Sequence, residues 1–171
     1  MSRSRGQLVG AFTLLEALLA AVVLALAVTA ILVPFNSAAR NEQADARLTV
    51  AVGVAQEMME EILAQPFEDD DPDWARHAGP DPGETQRCLF DNIDDYHGYE
   101  EPAGRITDIQ GQIVEDPAAS GLSRHVAAAY VYVSGQDLSE PASFVRVLVE
   151  IRYRADPIVR LTRLVYFTPQ G

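Results

Sequence analysis

The side chains of this chain that could do chemistry are mostly acids. Asp91, Asp94 and Asp95 precede Gly98 in FDNIDDYHGY, and Asp69, Asp70, Asp71 and Asp73 form a second run. Hard cations such as calcium take several oxygen ligands at once, and clustered Asp in a glycine-containing loop supplies them. Asp91, Asp94 and Asp95 are therefore the candidate metal ligands, and calcium is the one candidate cofactor. Their spacing fits no EF-hand, and a solvated acidic loop is the competing reading. His77, His97 and His125 are scattered without metal-ligand spacing. The lone Cys88 excludes an intrachain disulfide and a cysteine-based zinc site. No nucleophile elbow, phosphate-binding loop, H-E-x-x-H or dinucleotide fingerprint is present. The sequence assigns no catalytic residue, and the chain reads as a non-enzyme.

One acid stands apart from the rest. Glu16 is the only charge in the 20 residues from Leu14 to Val33, which otherwise read as a continuous apolar run. A helix of that length spans a bilayer core at about 1.5 Å per residue. Arg3 and Arg5 are the only charges ahead of it, which predicts a cytoplasmic N-terminus and an external remainder. A secretory signal with a small-x-small cleavage site at Ala25-Leu26-Ala27 or Val28-Thr29-Ala30 is one reading. A plain signal anchor, carrying a periplasmic binding or enzymatic domain, is another. Neither accounts for Glu16, because an acid at membrane depth costs about 2.5–3.5 kcal/mol. Such a group needs a cationic partner.

The charge of the chain is equally uneven. It carries 25 acids against 13 basic residues, all of them Arg, for a net charge of -12. Residues 60–101 hold 14 acids and only Arg76 and Arg87, a local charge of -12 that equals that of the whole chain. Without a basic cluster the chain lacks the footprint for phosphate backbones, so nucleic acid is excluded as a partner.

Gly10-Ala11-Phe12-Thr13-Leu14-Leu15-Glu16, after a short basic leader and before an apolar helix, resembles the cleavage and methylation motif of type IV pilins and type II secretion pseudopilins. The resemblance implies a leader at residues 1–11, cleavage by a prepilin peptidase between Ala11 and Phe12, and methylation of the new N-terminus at Phe12. It makes Glu16 the fifth mature residue and an assembly residue, paired with the N-terminus of a filament neighbour. The family usually has Gly immediately before the cut, where this chain has Ala11. Cutting after Gly10 would displace Phe12 and Glu16 from their family positions together. The stretch 56–67 also resembles the stem end of minor pilins of the V type and pseudopilins of the I type. The implied function is structural: a subunit held in the bacterial inner membrane by a single pass, head periplasmic, and then packed with other pilin or pseudopilin subunits into a filament.

The elements that must carry these residues follow from periodicity. Residues 12–35 form the apolar half of a stem helix and residues 36–65 its amphipathic half. Pro34 falls near the join and favours a curved but continuous helix. Ala44, Leu48, Ala51, Ala55, Met58 and Ile62 make one helical stripe, widened by Met59 and Leu63, while Glu57, Glu60 and Glu61 mark the solvated side. Gly53 marks a bend or a close contact, and Pro66 ends the helix. Residues 66–125 hold six of the ten Pro and six of the eleven Gly, which predicts long acidic loops with short strands. Residues 126–171 turn to period two: Val126–Val133, then Phe144–Arg154 with Val145, Val147, Val149 and Ile151 on one face, then Ile158–Thr168. Asp156-Pro157 is the expected connection of the last two. The predicted fold is α+β, a long N-terminal stem helix packed on a small antiparallel β-meander head in the pilin-like manner.

Overall fold

The computed structural model describes residues 13–69 and 76–166, with the backbone alone at residues 33, 34, 36 and 37. Ala11 and Phe12, with the leader before them, lie outside the described residues, as do Asp70, Asp71, Asp73 and the last residues expected in the final strand. Among the described residues there is one α-helix, α1, which runs Leu14–Leu63. Four strands follow among them: β1 (Glu100–Glu101), β2 (Leu122–Val131), β3 (Phe144–Tyr153) and β4 (Asp156–Tyr166). They form one sheet in the order β1-β2-β3-β4, every pair antiparallel. The fold is α+β.

The chain divides into two units, residues 1–43 and 44–171. In the first, α1 passes through Pro34 without a break. Thr13 caps its start: the Glu16 backbone N–H donates to Thr13 Oγ1 at 3.3 Å. The stretch Leu14–Leu32 has a mean hydropathy of 2.6, and every side chain in it is exposed. It is long and apolar enough to cross a membrane.

In the second unit the same helix changes character. Ala51, Val54, Ala55, Met58, Met59 and Ile62 are buried, a stepping of 3, 1, 3, 1 and 3 residues that holds one face of a helix. They pack with Leu122, Val126 and Ala128 of β2, Val145, Val147, Val149 and Ile151 of β3, and Val159 of β4. Phe90, Ile93, Tyr96 and Ile106 close the core from the loops. The buried stripe is shorter than the periodicity predicts. Ala44 and Leu48 lie on the right face but are exposed, because the head does not cover that part of the helix. Leu63 is exposed as well, since one residue's rotation of about 100° carries it off the face of Ile62. Gly53 makes no close contact: a Cβ added there would meet nothing within 4 Å.

The last hairpin corrects a sequence expectation. Its turn is Arg154-Ala155, both with positive φ (53° and 74°), which suits the twist of a two-residue hairpin. Asp156 and Pro157 belong to β4, facing Tyr153 and Arg152, and the register shifts beside them at Ile151/Arg152. Pro157 is tolerated because β4 is an edge strand that can spare a donor. β2 also starts earlier than the expected Val126. Leu122 and Arg124 already take inward positions, so the strand reaches back into the region read as loops. Gly121 precedes it because an added Cβ would lie 2.5 Å from the Tyr153 ring, whose face also carries the Arg47 guanidinium at 3.7 Å.

Candidate functional site

Two features bear on function: the bare apolar helix with its single acid, and the acidic segment. Glu16 lies in the first turn of α1 and is exposed. There the helix dipole favours a negative charge, and the four residues Thr13-Leu14-Leu15-Glu16 also form the T-x-x-E pattern of a capping box.

The acidic segment is not a uniformly solvated face. Glu101, Asp94 and Asp95 are buried. Glu101 is held by the buried Arg124 and by the Tyr99 hydroxyl, which donates to its Oε1 at 2.9 Å. Arg124 donates in turn to the Val54 carbonyl on α1 at 3.0 Å and to the Thr107 carbonyl at 2.9 Å. Burial lowers the Arg124 pKa, and Glu101 opposes that shift. Glu61, expected on the solvated side of the helix, lies 3.1 Å from Arg87 Nε and accepts from the Tyr96 hydroxyl at 3.1 Å. These groups fasten the loops to the last turns of α1. Arg124 escaped the sequence reading because a charge at the head of an apolar strand reads as loop. Cys88 is exposed.

The metal ligands expected from sequence do not converge as a set. Asp91, Asn92 and the short 3-10 turn Asp94–Tyr96 are organised by mutual side-chain caps. Asn92 Oδ1 accepts from the N–H groups of Asp94 (2.8 Å) and Asp95 (3.2 Å). Asp95 Oδ2 reaches back to accept from those of Asp91 and Asn92, both at 3.0 Å. This pairing sends Asp95 toward Asp91 and turns Asp94 away. Asp94 faces Tyr130 instead, and burial, the largest cause, pushes its carboxyl up to about 7. Burial likewise raises the Tyr130 hydroxyl, with the Asp94 charge adding to it.

Glu84 takes the place expected of Asp94. One carboxylate oxygen each from Glu84, Asp91 and Asp95 lies within 4.8 Å of the other two. The sequence does carry a signal for Glu84. Asp81-Pro82-Gly83-Glu84 is a turn with Pro at its second position and Gly83 at φ 114°, closed by Glu84 N–H to the Asp81 carbonyl at 3.0 Å. Glu84 Oε2 accepts from the Asp81 N–H at 3.0 Å, which holds its carboxylate over the turn. Burial raises the Glu84 pKa, and the charges of Asp95 and Asp91 raise it further. Asp81 is pushed up to about 6 by burial, then by Asp69 and Asp95, with His77 opposing. Carboxylates crowded in this way can hold a proton or a hard cation.

Comparison of the chain with protein-family models, with curated proteins and with solved structures gives no match.

Proposed function

We propose that the chain is a structural minor pilin or pseudopilin. It is made with residues 1–11 as a leader, cut between Ala11 and Phe12, methylated at Phe12, and assembled through α1 into a type II secretion pseudopilus or a type IV pilus. The observation that carries this reading is the continuity of α1. One uninterrupted helix has an exposed apolar stretch over Leu14–Leu32, a single acid in its first turn, and a last segment that is the central helix of an α+β head. A signal peptide needs only the first of these features. A subunit that must leave the bilayer sideways into a filament uses all three.

Glu16 supports the reading on energetic grounds. A cut at Phe12 frees an α-amino group in apolar surroundings, where an ammonium and a carboxylate are each costly unless paired. Glu16 of one subunit and the N-terminus of its neighbour neutralise each other. The partners are then a prepilin peptidase, other pilin or pseudopilin subunits and the inner membrane, with the head on the periplasmic side.

The test is co-expression with the cognate prepilin peptidase, followed by N-terminal mass analysis. Loss of residues 1–11 and one added methyl on Phe12 are expected. A chain left at full length, or trimmed near Ala27 or Ala30, would overturn the reading in favour of a signal-borne periplasmic domain. In the same cells a Glu16→Ala chain should be cut yet fail to enter filaments. Normal incorporation would remove the role assigned to Glu16.

A further inference from the structure

We propose that the outer face of the sheet docks a second copy of this chain, with Leu138 and Glu140 in the β2–β3 loop of one head seated against Ala127, Ala129 and Arg146 of the other. The contact joins heads. It needs neither the cut at Phe12 nor the pairing of Glu16, so it stands or falls apart from the proposed function.

The first argument is the receiving surface. The inner face of the sheet packs on α1, and an antiparallel sheet with one wet face carries polar residues on the other. The half of the outer face nearest the β2–β3 loop does not. Val131 pairs there with Phe144, Phe144 with Tyr166, and Ala127 with Leu148. The Phe144 and Tyr166 rings lie 5.0 Å apart, and Tyr166 stays 57 % exposed. Alanine is a poor strand former, yet Ala127 and Ala129 take alternate outward positions on β2 and leave a hollow of about 540 Å³ beside Leu148 and Arg146. Arg146 is the one charge in this half, and it meets no acid among the described residues. Exposed aromatic and Arg side chains around an apolar floor are the composition of an interface centre.

The second argument is the complementary group on the same chain. Leu138 is 74 % exposed, more than any other large apolar side chain described in the head. Its loop is fixed by its own hydrogen bonds. Asp137 Oδ1 accepts from the Ser139 N–H at 2.9 Å and the Ser139 hydroxyl at 2.8 Å. The Gln136 amide donates to the Pro141 carbonyl at 3.0 Å, and the Tyr132 hydroxyl donates to the Glu140 carbonyl at 3.2 Å. A loop ordered beforehand loses little freedom on docking. Asp137 is spent on the turn, whereas the exposed Glu140 carboxylate meets no cation among the described residues.

The spacings agree. Leu138 and Glu140 are two residues apart, at most about 7 Å. Ala129 and Arg146 are cross-strand partners, about 5 Å apart. One seating therefore puts Leu138 in the hollow and Glu140 on Arg146. The loop and the hollow lie toward the same end of β2 and β3, so a two-fold axis between two heads satisfies both contacts together, and association stops at two.

The test uses the full, uncleaved chain in density-matched detergent. Sedimentation should show a monomer–dimer equilibrium. Leu138→Asp, Arg146→Glu and Glu140→Arg should each weaken it at least about tenfold. All three should melt like the parent, because the three side chains are exposed. Arg146→Glu combined with Glu140→Arg should restore most of the association, which a general loss of structure would not do. In a Cys88→Ser background, chains carrying Leu138→Cys should join chains carrying Ala129→Cys through a short bis-maleimide. Chains carrying Ser123→Cys, at the other end of the same face, should not join them. A parent that stays monomeric would overturn the second copy as occupant. Parental association in Leu138→Asp would overturn the proposal and assign the contact to α1. Failure of the charge exchange to rescue would overturn the pairing of Glu140 with Arg146, and growth beyond two chains would overturn the two-fold arrangement.

Discussion

The two ends of α1 are built from the same residue types and end in opposite surroundings. Over Leu14–Leu32, leucines, valines and alanines are exposed on every side of the helix. Over Ala51–Ile62, a similar supply of alanine, valine and methionine is confined to one face and removed from water by the sheet. Helix formation therefore says nothing about which solvent a helix segment belongs to. The distribution of apolar residues around the axis does: a stripe serves one packed face, and a full circumference requires an apolar surround.

The acids draw the same contrast. Glu16 is exposed on the bare segment. Glu61 and Glu101 are met by Arg87 and Arg124 within the head. Glu150, on β3, is also buried, and although burial works against its charge, Arg152 and Arg160 hold its carboxyl below the usual range. For these head acids the cost of burial is met by arginines of the same chain. On the bare helix Glu16 meets no Arg among the described residues, and the proposed function supplies its partner as the N-terminus of a neighbouring subunit.

The sharpest way to break this contrast is to place the same charge on each segment. Ala55 is fully buried, so Ala55→Arg should destabilise the head by more than about 4 kcal/mol. Val22 is exposed, and Val22→Arg should leave head melting unchanged while costing about 2.5–3.5 kcal/mol of membrane insertion. Circular dichroism melts and carbonate extraction of membranes read the two effects. Equal loss of head stability in both variants would show that the segments are not independent.

A smaller effect is expected from the buried ion network. Arg124→Met takes from Glu101 its buried guanidinium, leaving Arg87 at 3.4 Å as its remaining cation, and should cost about 3–5 kcal/mol. The double variant with Glu101→Gln should recover part of that, since it removes a buried charge that has lost one of its two cations. Denaturant unfolding of both variants would check it, and a double variant as unstable as the single one would show that packing around Arg124, rather than charge, is at stake.

A third test is by pH. The Asp94 carboxyl has a folded pKa of about 7 against an ordinary 3.8. Below both values it is protonated in folded and unfolded chains alike, and it adds no pH dependence. Between them the unfolded chain loses its proton while the folded chain keeps it. Stability should therefore fall as pH rises from about 4 to about 7, by at most about 1.4 kcal/mol per unit from this group. Asp94→Asn should flatten that part of the curve in metal-free buffer. An unchanged slope would assign the dependence to Asp81 or Glu84.

Much of the fold was legible in advance because it rests on local periodicity. The period-two alternation of β3 and the helical stripe around Met58 are properties of consecutive residues. So is the 20-residue apolar run. What was misread involves choices that neighbours in sequence cannot make. Arg154-Ala155 carries none of the usual turn residues, yet the pairing of Tyr153 with Asp156 closes the hairpin there. Asp94 and Asp95 are adjacent and chemically identical. Only the caps made by Asn92 and Asp95 send one toward Tyr130 and the other toward Glu84.

The sequence by itself determined that a single acid opens a bilayer-length apolar helix, that the helix turns amphipathic, and that paired strands follow. Each of these is a pattern along the chain, set by the rise and rotation per residue. Only the tertiary structure decided which acids meet. Glu84 joins Asp91 and Asp95, and Glu101 meets Arg124, because loop closure brings together residues whose separation along the chain carries no period to read.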